Sequence, residues 1–83
     1  MPELRLTTRA SVYYLSGRKC FAVQDRRSGG WKAHHRAIGA VLQVSPGDLL
    51  DTAVTLVGCR AAFLRNQELI TTTTVRHVSH GWI

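Results

Sequence analysis

One arginine pair, two histidine pairs and two lone cysteines are the residues of this 83-residue chain whose types and spacing could do chemistry. Arg26-Arg27 open a Ser28-Gly29-Gly30 run, and Trp31 and Lys32 follow it directly. The planar fork of arginine donates two parallel hydrogen bonds to a phosphate, so such a tip reads as an anion contact. Arg5, Arg9, His34 and Arg36 lie in the same half of the chain. His34-His35 would offer a small nuclease its general acid or base. On a strand, however, adjacent side chains face opposite ways and cannot work as a pair in one site. His77-x-x-His80 with Cys20 and Cys59 invites a zinc reading. Zinc sites draw closely spaced ligand pairs from two knuckles, whereas these cysteines stand alone and the two histidines would diverge on a strand. Asp48 and Asp51 are the one close pair of acids, and at a helix start they suit the macrodipole better than acid–base work. No nucleophile elbow, phosphate loop or dinucleotide fingerprint occurs. The expectation is a binding protein with no catalytic residues, no metal and no cofactor.

The charge supports binding to something acidic. The net charge is +6, and residues 1–36 hold eight cationic side chains against two acids, while the charges of residues 37–83 cancel. Charge segregated in this way along a chain favours one basic surface, which attracts phosphate or acidic protein. A merely solvated basic face is the plain alternative. With 45% apolar and 19% charged residues the composition is that of a folded domain rather than a disordered tail, and the length suits one domain over 1–83. No apolar run approaches the roughly 18 residues that span a bilayer. Met1-Pro2-Glu3 has an early acid and no apolar stretch after it, so no secretory signal is read and a cytoplasmic location is expected. In that reducing compartment Cys20 and Cys59, each flanked by apolar residues, are expected as small buried hydrophobes rather than a disulfide.

The elements that would position these residues follow from periodicity. From Leu4 to Tyr14 the even positions are mostly apolar and the odd ones carry Arg5 and Arg9, the period of a half-buried strand. Ser16-Gly17 signals a turn, and Lys19 to Gln24 resumes as a second strand in a hairpin with the first. After the glycine-rich tip, Trp31, Ala33 and Ala37 alternate with Lys32, His34 and Arg36, which predicts a third strand; a helix over 31–44 is the competing reading. Ser45-Pro46-Gly47-Asp48 is a helix start, with a capping serine, a proline at the first helical position and an acid in the first turn. Leu50, Ala53, Val54, Val57, Ala61 and Leu64 then share one face of a helix over 46–65, flanked by Leu49, Leu56 and Phe63. An arc so wide suggests a homodimer through this helix. Leu69 to Val78, with its four threonines, predicts a last strand.

These elements assemble into an α+β fold, a small antiparallel sheet of three N-terminal strands and a C-terminal strand with one main helix on one face. An all-β barrel is the rival, because Thr52–Val57 and Thr71–Val78 are both rich in strand formers. On the α+β sheet, Arg5, Arg9, Lys32, His34 and Arg36 would project from the outer side and Arg26 and Arg27 would crown the tip, with Trp31 or Tyr13 able to stack on bases. The tip resembles the hairpins of β-ribbon DNA readers in layout. The expected partner is therefore DNA or RNA, or a nucleoprotein, with no membrane involved. In size, and in its lack of motifs, the chain also resembles the small inhibitors encoded by phages and mobile elements, anti-CRISPR proteins among them. That resemblance would imply blocking a host protein or nucleoprotein complex through a few buried aromatic and arginine anchors.

Overall fold

The computed structural model describes residues 2–43 and 57–82, which form a seven-stranded antiparallel sheet with no helix among them. In chain order the strands are β1 (Pro2–Thr7), β2 (Ser11–Ser16), β3 (Lys19–Asp25), β4 (Val41–Leu42), β5 (Arg60–Arg65), β6 (Glu68–Thr74) and β7 (His77–Trp82). Across the sheet they run β6-β5-β4-β3-β2-β1-β7. The two outermost strands are thus consecutive in the chain, joined by Val75-Arg76. The Val75 carbonyl accepts from the Gly58 amide, the Val75 amide donates to Cys59, and the Arg76 amide donates to Thr7. The sheet therefore curls until its ends meet at Val75-Arg76, an open barrel that leaves little free edge there.

Tight turns set the registers. Gly17, with φ of 60°, opens the two-residue turn that sets Ser16 opposite Lys19, the positive φ matching the twist of the flanking strands. Asn66 and Gln67, at φ of 49° and 67°, make the equivalent turn between β5 and β6, with Arg65 opposite Glu68. Positive φ at both central positions is the type I′ requirement. Between β1 and β2 the Thr8 amide and hydroxyl both donate to the Ser11 carbonyl, while the Ser11 amide donates to Thr8 Oγ1. This turn shifts the inward phase by one: Leu4, Leu6 and Thr8 point inward before it, and Ser11, Tyr13 and Leu15 after it. The interior is filled by Leu6, Leu15, Val23, Leu42, Phe63 and Val75, all at most 1% exposed, each worth about 1.5–3 kcal/mol of hydrophobic stabilisation. Tyr13 stacks on Phe63 with ring centres 5.7 Å apart.

The α+β expectation is overturned. Of the helix placed at 46–65, residues 46–56 lie outside the described residues, while 57–59 are turn and bend and 60–65 are β5. Ala61 and Phe63 point inward with the period of a strand and Leu64 outward. The run Ala-Ala-Phe-Leu fits either period, and pairing with β4 on one side and β6 on the other decides for the strand. The single strand expected over Leu4–Tyr14 is two strands, split by the Thr8–Ser11 turn. The third strand expected after the tip shrinks to a bridge between Trp31 and Gln24. Neither strand nor helix continues from it; successive turns carry 33–39 over the core instead. Ala37 and Ala40 are fully buried there, and Gly39 and Ala40 exchange backbone hydrogen bonds with Cys20. With no helix over this part of the sheet, the turn segment covers Tyr13, whose ring meets His35 edge-on at 5.6 Å. The threonine-rich strand forms as β6, then bends at Val75-Arg76 and pairs with β1 as β7.

Candidate nucleic-acid interface

The basic residues gather first at one end of the barrel. Arg9 sits in the β1–β2 turn, and Arg26 and Arg27 follow β3. Together with Ala10 and Asp25 they line an open groove of about 590 Å³. Arg26 is held in place, its amide donating to Ala10 and its Nη1 to the carbonyls of Thr8 at 2.9 Å and Arg9 at 3.5 Å. Asp25 is the carboxylate of this groove, and its Oδ1 accepts from the amides of Arg27 and Ser28. Those hydrogen bonds, Ser28 first, hold its carboxyl below the usual range and direct it at the backbone rather than at an arginine. Arg76, exposed and bonded through its amide to Thr7, adds a further cation at this end.

A second cluster lies on the outer face of β1–β3. Arg5 stands opposite Tyr14, which in turn stands opposite Ala22. The Arg5 guanidinium lies 5.8 Å from the centre of the Tyr14 ring and pairs with Glu3 at 2.8 Å. Tyr14 neighbours Trp31 at 5.2 Å and Phe21 at 6.4 Å between ring centres, each pair tilted by 53°. A bulge produces this arrangement. The β2–β3 register shifts so that Leu15 faces Cys20 and Tyr14 faces Ala22, leaving Phe21 unopposed and turned outward. Phe21 is 45% and Trp31 61% exposed. The Tyr14 hydroxyl and Gln24 Oε1 share a hydrogen bond of 2.8 Å, and Gln24 Nε2 donates to the Gly29 carbonyl. One side chain thus links the aromatic face to the loop that carries Arg26 and Arg27.

The remaining expected site residues are placed elsewhere. Lys32 turns its Nζ to Ser11 Oγ at 2.9 Å and does not stand on the outer face of a strand. His34 is exposed on the turn segment that covers the core. Arg36, on the same segment, pairs with Glu68 at 2.8 Å, an exposed pair worth little. Arg9, Arg26 and Arg27 are thus brought together, Arg5 lies with the aromatic face, Lys32 lines a cleft beside Phe21 and Trp31, and His34 and Arg36 are apart from both clusters. Tyr13, expected as a stacking ring, is buried, and burial raises its hydroxyl above the ordinary phenol range; Tyr14 occupies the outward position instead. The Thr8-to-Ser11 turn was the signal for that exchange. Nothing in the residue order marks the bulge at Phe21.

Among the described residues no three metal-ligating side chains come together. Cys20 is buried and Cys59 exposed, so the expectation of two buried cysteines holds for Cys20 alone. No described helix is long and apolar enough to cross a membrane. The chain matches no protein-family model, no curated protein and no solved structure.

Proposed function

We propose that this chain is a non-enzymatic, cytoplasmic binding module for nucleic acid, holding phosphates at the basic end of its barrel. The observation that carries the reading is the open groove lined by Arg9, Arg26 and Arg27, whose one carboxylate is already engaged by backbone amides. Arg26 is fixed by the turn it bonds, so less side-chain freedom is lost when an anion arrives. Arg9 and Arg27 are exposed and free of ion pairs among the described residues. A groove of this size and charge suits a polyanion's backbone better than a small neutral ligand.

The test is fluorescence anisotropy of labelled oligonucleotides across a salt series. The wild-type protein is expected to bind in the micromolar range or tighter at low salt. Its log affinity should fall linearly with log salt, with a slope of roughly 0.7–0.9 per phosphate neutralised. Arg9→Ala and Arg27→Ala should each weaken binding to every sequence and lower the slope by about one. Absence of binding to DNA and RNA at low salt overturns the reading. The same surface would then point to a host protein or nucleoprotein, bound in the manner of a small inhibitor.

A further inference from the structure

We infer that the exposed Tyr14–Phe21–Trp31 face takes unpaired bases, which makes single-stranded nucleic acid the ligand class of this domain. The inference rests on the nucleic-acid reading above and adds to it the face that distinguishes single strand from duplex.

Two large aromatic side chains, Phe21 at 45% and Trp31 at 61% exposed, lie either side of Tyr14 on an outer sheet face. Leaving such rings in water forgoes part of the burial energy that a covered ring would gain. Their positions are set by the backbone and not by chance side-chain excursions. Phe21 is turned out by the bulge, and Trp31 is held by its bridge to Gln24 and by the neighbouring Lys32 amide, which donates to Val23. Phe21 and Trp31 are each tilted at 53° to the Tyr14 ring, so neither is stacked flat on it. Beside them opens a cleft of about 290 Å³, lined by Phe21, Trp31, Ile38 and Lys32 among others. A slot with apolar walls fits the flat face of a base, while the Lys32 ammonium below it is held by Ser11 Oγ.

Charge selects this occupant over an apolar protein surface. The face is bordered on one side by the Arg26–Gly30 loop, tied to it through Gln24. The Arg18-Lys19 turn, exposed at the other end of β2 and β3, borders it on the opposite side. Of the nearby acids, Glu3 is paired with Arg5 and Asp25 is turned to the backbone amides of Arg27 and Ser28. Aromatic rings that continue into arginines make the stacking platform and phosphate track of a single-strand binder, and such stacking tolerates any base sequence. In a duplex the base faces are already stacked on one another and cannot reach these rings.

The experiment compares a labelled 12-nucleotide single strand with the duplex of equal length, against the wild type, Trp31→Ala, Trp31→Phe and Arg27→Ala. The wild type should prefer the single strand. Trp31→Ala should lower single-strand affinity by about 5- to 150-fold, as the loss of one stacked base implies, and leave duplex affinity within about twofold. Trp31→Phe should recover most of the loss, and circular dichroism should show both variants folded, since the side chain is exposed. Arg27→Ala should weaken both ligands. Unchanged single-strand affinity in Trp31→Ala, while Arg27→Ala weakens both, overturns the inference and leaves the nucleic-acid reading standing. Failure of the wild type to bind either polymer overturns the two together.

Discussion

Arg26 Nη1 donates a 2.9 Å hydrogen bond to the carbonyl of Thr8, a residue 18 positions earlier in the chain. The bond ties the loop after β3 to the turn between β1 and β2, and the Arg26 amide reinforces it through Ala10. Arg26 and its neighbour Arg27 are therefore unequal. Arg26→Ala should cost about 1–2 kcal/mol of stability, the worth of a hydrogen bond with a charged donor. Arg27→Ala, exposed and bonded only through its amide, should stay within about 0.5 kcal/mol of the wild type. Urea denaturation of the two variants checks the contrast. Equal losses would mean that the Thr8 bond contributes nothing.

Glu3 presents a similar asymmetry. Its side chain is 7% exposed while that of its partner Arg5 is 47% exposed. Removing the arginine strands a nearly buried carboxylate, so Arg5→Ala should destabilise by about 1–3 kcal/mol. Changing both residues to an apolar pair, Glu3→Leu with Arg5→Leu, should recover part of that loss. A double variant less stable than Arg5→Ala alone would contradict this account.

Parts of this architecture were legible in the residues and parts were not, for physical reasons. The β2–β3 hairpin could be read, because Gly17 sits between two alternating runs and supplies the φ the turn needs. So could the threonine-rich strand. The helix at 46–65 could not be rejected, because Ala61, Phe63 and Leu64 satisfy either period until β4 and β6 pair with them. The phase slip at Thr8–Ser11 exchanged Tyr13 and Tyr14 between core and surface, which moved the aromatic site by one residue. Of the site itself, Arg9, Arg26 and Arg27 were visible from charge alone, since their grouping needs only two neighbouring turns. The Phe21 bulge depends on how β2 and β3 pair, and no local pattern encodes it.

The cysteines should react unequally. Cys20 is fully buried, burial pushes its thiol up to about 11, and the thiol donates a weak bond to the Ala22 carbonyl. Cys59 is exposed. Since the thiolate is the nucleophile, a disulfide reagent at pH 8 should titrate one thiol in the native protein and two in denaturant. Cys59→Ser should abolish the native reaction. Two equally fast thiols would show that the core around Cys20 opens readily.

Stability should also depend on His35. Its Nδ1 accepts the Ala37 amide at 3.0 Å, which requires the unprotonated nitrogen. Burial foremost, then Lys32 and Arg36, holds its pKa below the ordinary imidazole value of 6.5. A group depressed in the folded state contributes stability that is fully present above its unfolded pKa. That contribution is lost as pH falls from about 6.5 through the lowered folded value. His35→Asn offers an amide oxygen to the same N–H without titrating, so its stability should fall less between pH 7 and pH 5. Parallel pH profiles for the two proteins would remove His35 as the cause.

The sharpest test of the fold contrasts Phe63 with Leu64. In β5 the first is fully buried against Tyr13 and the second is 40% exposed. Phe63→Ala should therefore cost about 3–5 kcal/mol, much of the 5–15 kcal/mol that holds a typical domain together. Leu64→Ala should cost far less, about 0.5–1 kcal/mol, since it loses only part of one side chain's contact with Val41 and Leu69, its partners across the ladder. A helix over 46–65 demands the opposite order, because there Leu64 falls on the apolar face and Phe63 beside it. Chemical denaturation of the two variants decides between these geometries. A larger loss for Leu64→Ala would contradict the β5–β6 hairpin on which the curled sheet depends.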